Sequence, residues 1–117
     1  MSKVIYISGP MTGKPDFNFP AFNTVALSLR SIGFYVLNPA DFGQNPNVSW
    51  TECLKRDLMA MFYADVVVTL PGHENSKGAQ LETHVARALG IPVMTLTEFK
   101  QQVINGPPVE TPAPPAS

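Results

Sequence analysis

Cysteine is nearly missing from this chain of 117 residues, with Cys53 the only one. An intramolecular disulfide and a cysteine-built zinc site are therefore excluded. Histidine is scarce too, limited to His73 and His84. Neither has a carboxylate at metal-ligand spacing, so no metal and no cofactor are expected. Neither sign of charge dominates: eight Lys and Arg stand against nine Asp and Glu, a formal net charge of −1. No basic stripe is available to follow a phosphate backbone, so a nucleic-acid polymer is not an expected partner. No apolar run approaches the roughly 18 residues of a membrane span. Met1-Ser2-Lys3 leads into a strand-like segment with no secretory signal, so a cytoplasmic protein is the expectation.

What is present is apolar residue at 44%, enough for one modest core. The chain alternates in character. Lys3 to Ser8 is a β-branched run that ends at Gly9-Pro10. Asn18 to Ser31 carries Phe19, Phe22, Ala26 and Leu29 at helical spacing, and Gly33 stops it. Phe34 to Leu37 reads as a second strand, followed by Asn38-Pro39. Ser49 with Glu52 three residues on forms a capping box for a helix to about Tyr63. Asp65 to Leu70 is an uninterrupted apolar strand of the kind buried on both faces. Ser76 to Leu89 reads as a third helix ended by Gly90. Pro92 to Leu96 is a strand, and Thr97 to Ile104 a last helix. Asn105 to Ser117 holds five of the 12 prolines and reads as a mobile tail after a domain spanning 1–104.

Strands alternating with helices indicate an α/β fold. The expectation is a three-layer, flavodoxin- or Rossmann-like parallel sheet of about four to five strands flanked by helices. Ligands in such sheets sit outside the carboxyl ends of the strands. Three segments are placed there: Ser8 to Asp16, Asn38 to Asp41, and Pro71 to Gly78.

Two carboxylates stand out. With Ala79 at zero and about 100° per residue, Ala86, Leu89 and Val85 share an apolar arc, and Glu82 falls near −60°, inside it. Gln80, Thr83, His84 and Arg87 take the polar arc. With Leu54 at zero, Asp57 falls near −60° on the apolar side of its own helix, among Met61, Leu58 and Cys53. An inward carboxylate is costly unless paired or useful. Glu82 could cap backbone or pair with Arg30 or Lys14, and Asp57 could pair with Arg56 or Lys55. Two such groups near one crevice are also the minimum for cleaving a glycosidic bond.

Two loops suit an anion. Ser8-Gly9-Pro10-Met11-Thr12-Gly13 lacks the G-x-G-x-x-G and G-x-x-x-x-G-K-[ST] patterns, but it offers two glycines and two hydroxyls at a sheet edge. Ser76-Lys77-Gly78-Ala79 opens a helix, where free N–H groups attract phosphate. Capping accounts for Ser76 but not for Gly78, which costs about 1 kcal/mol relative to alanine inside a helix. Asp16 and Asn18 could hold ribose hydroxyls or serve as turn residues. Phe17, Phe19 and Phe22 read as core or lid residues, with Phe17 able to stack on a base. Trp50 reads as a packing anchor and Cys53 as core.

Seven segments carry a resemblance: Ile7 to Gly13 (I-S-G-P-M-T-G), Pro15 to Asn23 (P-D-F-N-F-P-A-F-N), Asn38-Pro39-Ala40, Arg56-Asp57-Leu58, Ala64 to Gly72, Ser76 to Glu82 (S-K-G-A-Q-L-E) and Ala88 to Val93. Over Lys3 to Leu96 the chain resembles an uncharacterised phage and bacterial family of the nucleoside 2-deoxyribosyltransferase-like superfamily. The resemblance implies that Glu82 attacks C1′ of a nucleoside or nucleotide, that Asp57 helps protonate the departing base, and that Tyr6 contacts the nucleophile. It implies sugar or phosphate binding by Ser8, Gly9, Pro10, Met11, Thr12 and Gly13. Ser76 stands where superfamily members that hydrolyse 5′-monophosphates carry a serine, which favours a nucleotide over a free nucleoside. It also implies a homodimer or higher homo-oligomer, although the carboxylate that larger transferases send into a neighbour's site has no counterpart here. The expected function is an N-glycosidase of (deoxy)nucleoside 5′-monophosphates, with deoxyribosyl transfer as a close variant. A non-catalytic nucleotide-derived ligand sensor is the alternative, and an interaction module using the tail is a third reading.

Overall fold

A computed structural model describes residues 3–43 and 47–105. The proline-rich segment expected to be a tail lies outside the described residues from position 106 onward. Four strands form one parallel sheet: β1 (Val4–Ser8), β2 (Tyr35–Leu37), β3 (Val66–Thr69) and β4 (Val93–Thr95). Their order is β2-β1-β3-β4. The register sets Tyr6 beside Leu37 on one side and Val67 on the other, and Ser8 beside Thr69. Four helices connect and cover the strands: α1 (Phe19–Ser31), α2 (Trp50–Met61), α3 (Lys77–Ala88) and α4 (Leu96–Ile104). The expected α/β parallel-sheet class is the observed one.

Side-chain alternation along the strands divides the core in two. Ile5, Ile7, Val66, Val68 and Leu70 pack with Phe22, Ala26 and Leu29 of α1 and Phe99 of α4. Tyr6 and Val67 face the other way, onto Met61 of α2 and Ala86 of α3. A residue on β1 at an even position therefore points at α2 and α3, and that parity brings Tyr6 and Ser8 to the site below.

The helix starts follow their capping signals. Ser49 and Glu52 close a reciprocal capping box on α2, and Thr95 with Glu98 does the same on α4. Asp65 caps the mouth of β3: its carboxylate accepts from the Val4 N–H at 2.8 Å. Two helix-wheel placements change. Thr83, expected on the polar arc, is 4% exposed, with its hydroxyl donated to the Gln80 carbonyl. Leu89, expected on the apolar arc, sits at the C-cap of α3, outside the helical period, and is 56% exposed.

At the β2 edge of the sheet, Tyr35 donates its N–H to Lys3 O, so the backbone groups of the next residue, Val36, turn away from β1. Arg30 of α1 reaches that edge. Its guanidinium donates to the Val36 carbonyl and to Asp41, both at 2.9 Å. Arg30 is thus committed to the sheet edge and does not pair with Glu82. Among the described residues, no helix is long and apolar enough to cross a membrane.

Candidate active site

The strand order reverses direction between β1 and β3, since β2 lies on one side of β1 and β3 and β4 on the other. Loops leaving neighbouring strands diverge at such a point and open a crevice. A crevice of about 690 Å³ is found there. One wall is the first loop, Gly9 to Thr12 with Lys14 and Phe17. The second is α2, from Trp50 through Arg56 and Asp57. The third is the start of α3, from Ser76 to Ala79, with Glu82 one turn further in.

Glu82 is 6% exposed. Each carboxylate oxygen has its own hydroxyl donor: Tyr6 Oη donates to Oε2 at 3.1 Å and Ser8 Oγ to Oε1 at 2.7 Å. Both donors have no exposure. Burial is the largest influence on this carboxyl and pushes its pKa up to about 7. The Ser8 hydrogen bond pulls it back, the negative charge of Asp57 pushes it further up, and the Tyr6 hydrogen bond again lowers it. The Tyr6 phenol is itself raised well above its ordinary value, first by burial and then by the nearby charges of Glu82 and Asp57.

Asp57 projects from the middle of α2 into the same crevice. Its side chain is 13% exposed and stands 3.4 Å from Arg56 Nε. Burial lifts its pKa to about 6, against the opposing pull of the Arg56 guanidinium. Arg56 is held in turn by Phe42, whose ring centroid lies 4.7 Å from the guanidinium carbon. Two carboxyls that titrate near neutrality and share one crevice can divide the roles of base and acid.

The other expected residues divide into two groups. Gly9, Pro10, Met11, Thr12, Ser76, Gly78 and Ala79 line the crevice. Ser8, expected to contact substrate, lies beneath the crevice because strand parity turns its hydroxyl onto Glu82. Gly13 and Asp16 are exposed and do not line the crevice, although Lys14 and Phe17 beside them do. Asn38 to Asp41 do not reach the crevice either. They follow β2, the edge strand on the far side of β1, where Asn38 and Asp41 line a separate depression of about 350 Å³ with Arg30 while Pro39 and Ala40 are buried.

Several wall residues are not marked as site residues by the sequence pattern. Trp50, expected to be a packing anchor, is 42% exposed and lies with its ring 4.9 Å from Lys77 Nζ. The available signal is its position at the first turn of a helix that enters the site. Lys14, Arg56 and Lys77 bring three cations to the lining against the two carboxyls of Asp57 and Glu82. Phe17 reaches the wall through a rare backbone path. Asp16, Phe17 and Asn18 are consecutive non-glycine residues at φ of 52°, 55° and 62°. Such residues cost on the order of 1–3 kcal/mol each, and the Asn18 amide bonded to Pro10 O at 2.9 Å braces the bend.

Two glycines at the site differ in kind. A Cβ on Gly9 would stand 2.9 Å from Leu70 Cβ, so close approach of the first loop to the end of β3 requires glycine there. A Cβ on Gly78 would meet only the Trp50 ring, at 3.9 Å, so the protein's own packing does not require glycine at that point. The Ser76 hydroxyl caps α3 by accepting from the Ala79 N–H at 3.3 Å. Among the described residues, no cluster of three or more His, Cys, Asp or Glu side chains is placed to hold a metal ion.

Comparison with curated proteins returns no match. Among solved structures, a 2-deoxyribosyltransferase from Bacillus psychrosaccharolyticus superposes with a TM-score of 0.62 at 22% identity, over 79% of this chain and 70% of that one. A 2-deoxyribosyltransferase from Leishmania mexicana superposes with a TM-score of 0.63 at 24% identity, over 80% of this chain and 63% of that one. The likeness is one of fold, and this chain spans about two-thirds of the length of either enzyme. A family model described as a domain of unknown function, DUF4406, matches residues 3–95, which takes in every strand and the first three helices. By that match, over the sheet and all three walls of the crevice, the chain belongs to the DUF4406 family.

Proposed function

We propose that this protein is an N-glycosidase of (deoxy)nucleoside 5′-monophosphates, with Glu82 as nucleophile. The observation that carries the reading is the buried Glu82 carboxylate, gripped on both oxygens by hydroxyls and sharing a crevice with Asp57. The fold shared with two 2-deoxyribosyltransferases supports a nucleoside-directed glycosyl chemistry.

In this reading an oxygen of ionised Glu82 forms a bond to C1′ as the C1′–N bond breaks. The electron pair of that bond leaves with the base, which takes a proton from Asp57. The transition state has oxocarbenium character, which the carboxylate stabilises. Water then attacks C1′ of the glycosyl ester, gives its proton to Asp57 and returns Glu82 as carboxylate. A second base in place of water would complete a transfer instead. The phosphate is assigned to the first turn of α3, where Gly78 leaves open space, with Lys14 and Lys77 nearby.

The test is incubation with a panel of ribo- and deoxyribonucleosides and their 5′-monophosphates, read by chromatography for free base, with Glu82→Gln alongside. Base release from monophosphates that disappears in the variant is the expected result. Binding without release, read as a thermal shift in both proteins, would replace the enzyme with a ligand sensor.

A further inference from the structure

β1 ends at Ser8, a residue with no exposed surface. Its hydroxyl makes the shorter of the two bonds to Glu82, 2.7 Å against 3.1 Å from Tyr6. It is absent from the crevice lining, so it meets the carboxylate from below. Tyr6 and Ser8 are two positions apart on one strand and therefore share a face. Gripping one oxygen each, they fix the plane of the carboxylate as well as its position. A neutral hydroxyl at this distance favours the ionised carboxylate without placing a competing cation in the site.

Resting on the glycosidase reading above, we propose that Ser8 is a positioning residue that holds Glu82 ionised and turned into the crevice, rather than a contact for substrate. The charged and titratable groups that share the crevice with Glu82 are Asp57, Arg56 and Cys53 on α2, Lys14 in the first loop and Lys77 on α3, with Tyr6 on β1 bonded to it from beneath. Ser8 adds no charge to that set. Its removal changes the hydrogen bonding of Glu82 while leaving every neighbouring charge in place, which makes the consequence readable. With one donor lost, Glu82 ionises at higher pH and its free oxygen can rotate.

The decisive measurement is a pH titration of the Glu82 side-chain carboxyl carbon by NMR, on the full chain and on Ser8→Ala. The midpoint should rise by about one pH unit or more in the variant. Base release should show the matching kinetic pattern. A one-unit shift lowers the ionised fraction, and with it kcat, about tenfold at pH 6, while KM stays within about twofold because the hydroxyl does not face substrate. An unchanged midpoint overturns the proposal, and so does a raised KM at unchanged kcat. If Ser8→Ala does not fold, Ser8→Cys, a near-isostere with a weaker donor, reads the same midpoint. A wild-type protein that releases no base defeats the glycosidase reading alone, because the titration still decides whether Ser8 holds Glu82.

Discussion

The Tyr6 hydroxyl lies 3.1 Å from the Glu82 carboxylate although the two residues are 76 positions apart in the chain. One stands at the centre of β1 and the other one turn into α3, and the parallel pairing of β1 with β3 is what brings them together. The phenol gives Glu82 a donor that does not ionise in the neutral range, since its own pKa is pushed further up. Tyr6→Phe should therefore fold normally and lose about tenfold or more in base release, with the loss greatest at low pH. Steady-state kinetics across pH 5–9 would show it.

Glu82 also sets how stability depends on pH. Its folded-state pKa of about 7 lies above its ordinary value of 4.5. Between those values the folded chain holds a proton that the unfolded chain has released, so stability falls as pH rises through the window. The ceiling on that loss is on the order of 3 kcal/mol. Chemical denaturation should show greater stability near pH 5 than near pH 8. Glu82→Gln should flatten most of the difference, leaving the smaller contribution of Asp57, whose raised pKa acts with the same sign.

The activity profile should be narrow. In the proposed glycosidase reaction Glu82 must be ionised and Asp57 protonated, yet burial lifts the first to about 7 and the second to about 6. The two interact, so the observed limbs belong to the pair. A bell centred at about pH 6–7 is expected in kcat/KM. Arg56→Ala removes the cation that restrains Asp57, keeps it protonated to higher pH and moves the alkaline limb upward.

The cations at the crevice predict a substrate preference. Lys14→Ala and Lys77→Ala should raise KM for a 5′-monophosphate by about tenfold each and leave KM for the matching nucleoside within about twofold. Equal effects on both ligands would remove the phosphate from the assignment.

Gly9→Ala tests the packing beneath the first loop. The new methyl would lie 2.9 Å from Leu70 Cβ and 3.2 Å from its Cγ. A loss of about 1–3 kcal/mol is expected, measured as a lowered Tm, together with weaker ligand binding as the loop is displaced.

Much of this arrangement is legible in the amino-acid sequence. The apolar period of α3 has one wrong residue, Glu82, and that of α2 has one, Asp57, and both point into the crevice. Capping boxes locate the start of α2. The order of the strands is not legible. Nothing local says that β2 takes the outer edge, so the sequence suggests Asn38 to Asp41 for the crevice, and they lie outside it. Ser8 reads both as the end of the first strand and as the start of the substrate loop, because Gly9-Pro10 follows it directly. Its role depends on strand parity and on a helix 74 positions away. Trp50 is ambiguous for a related reason: an aromatic ring at a helix start can pack inward or line a cleft, and only the placement of α3 decides which.

The arginine that reaches the outer strand β2 from α1 has a consequence for the life of the protein in solution. A sheet whose last strand shows free carbonyls invites a further strand from another molecule, and chains of such additions become fibres. Here the outward carbonyl of Val36 is already taken by Arg30, and a guanidinium anchored to Asp41 stands where an incoming strand would dock. A chain added at β2 would have to displace a charged group to bond that carbonyl.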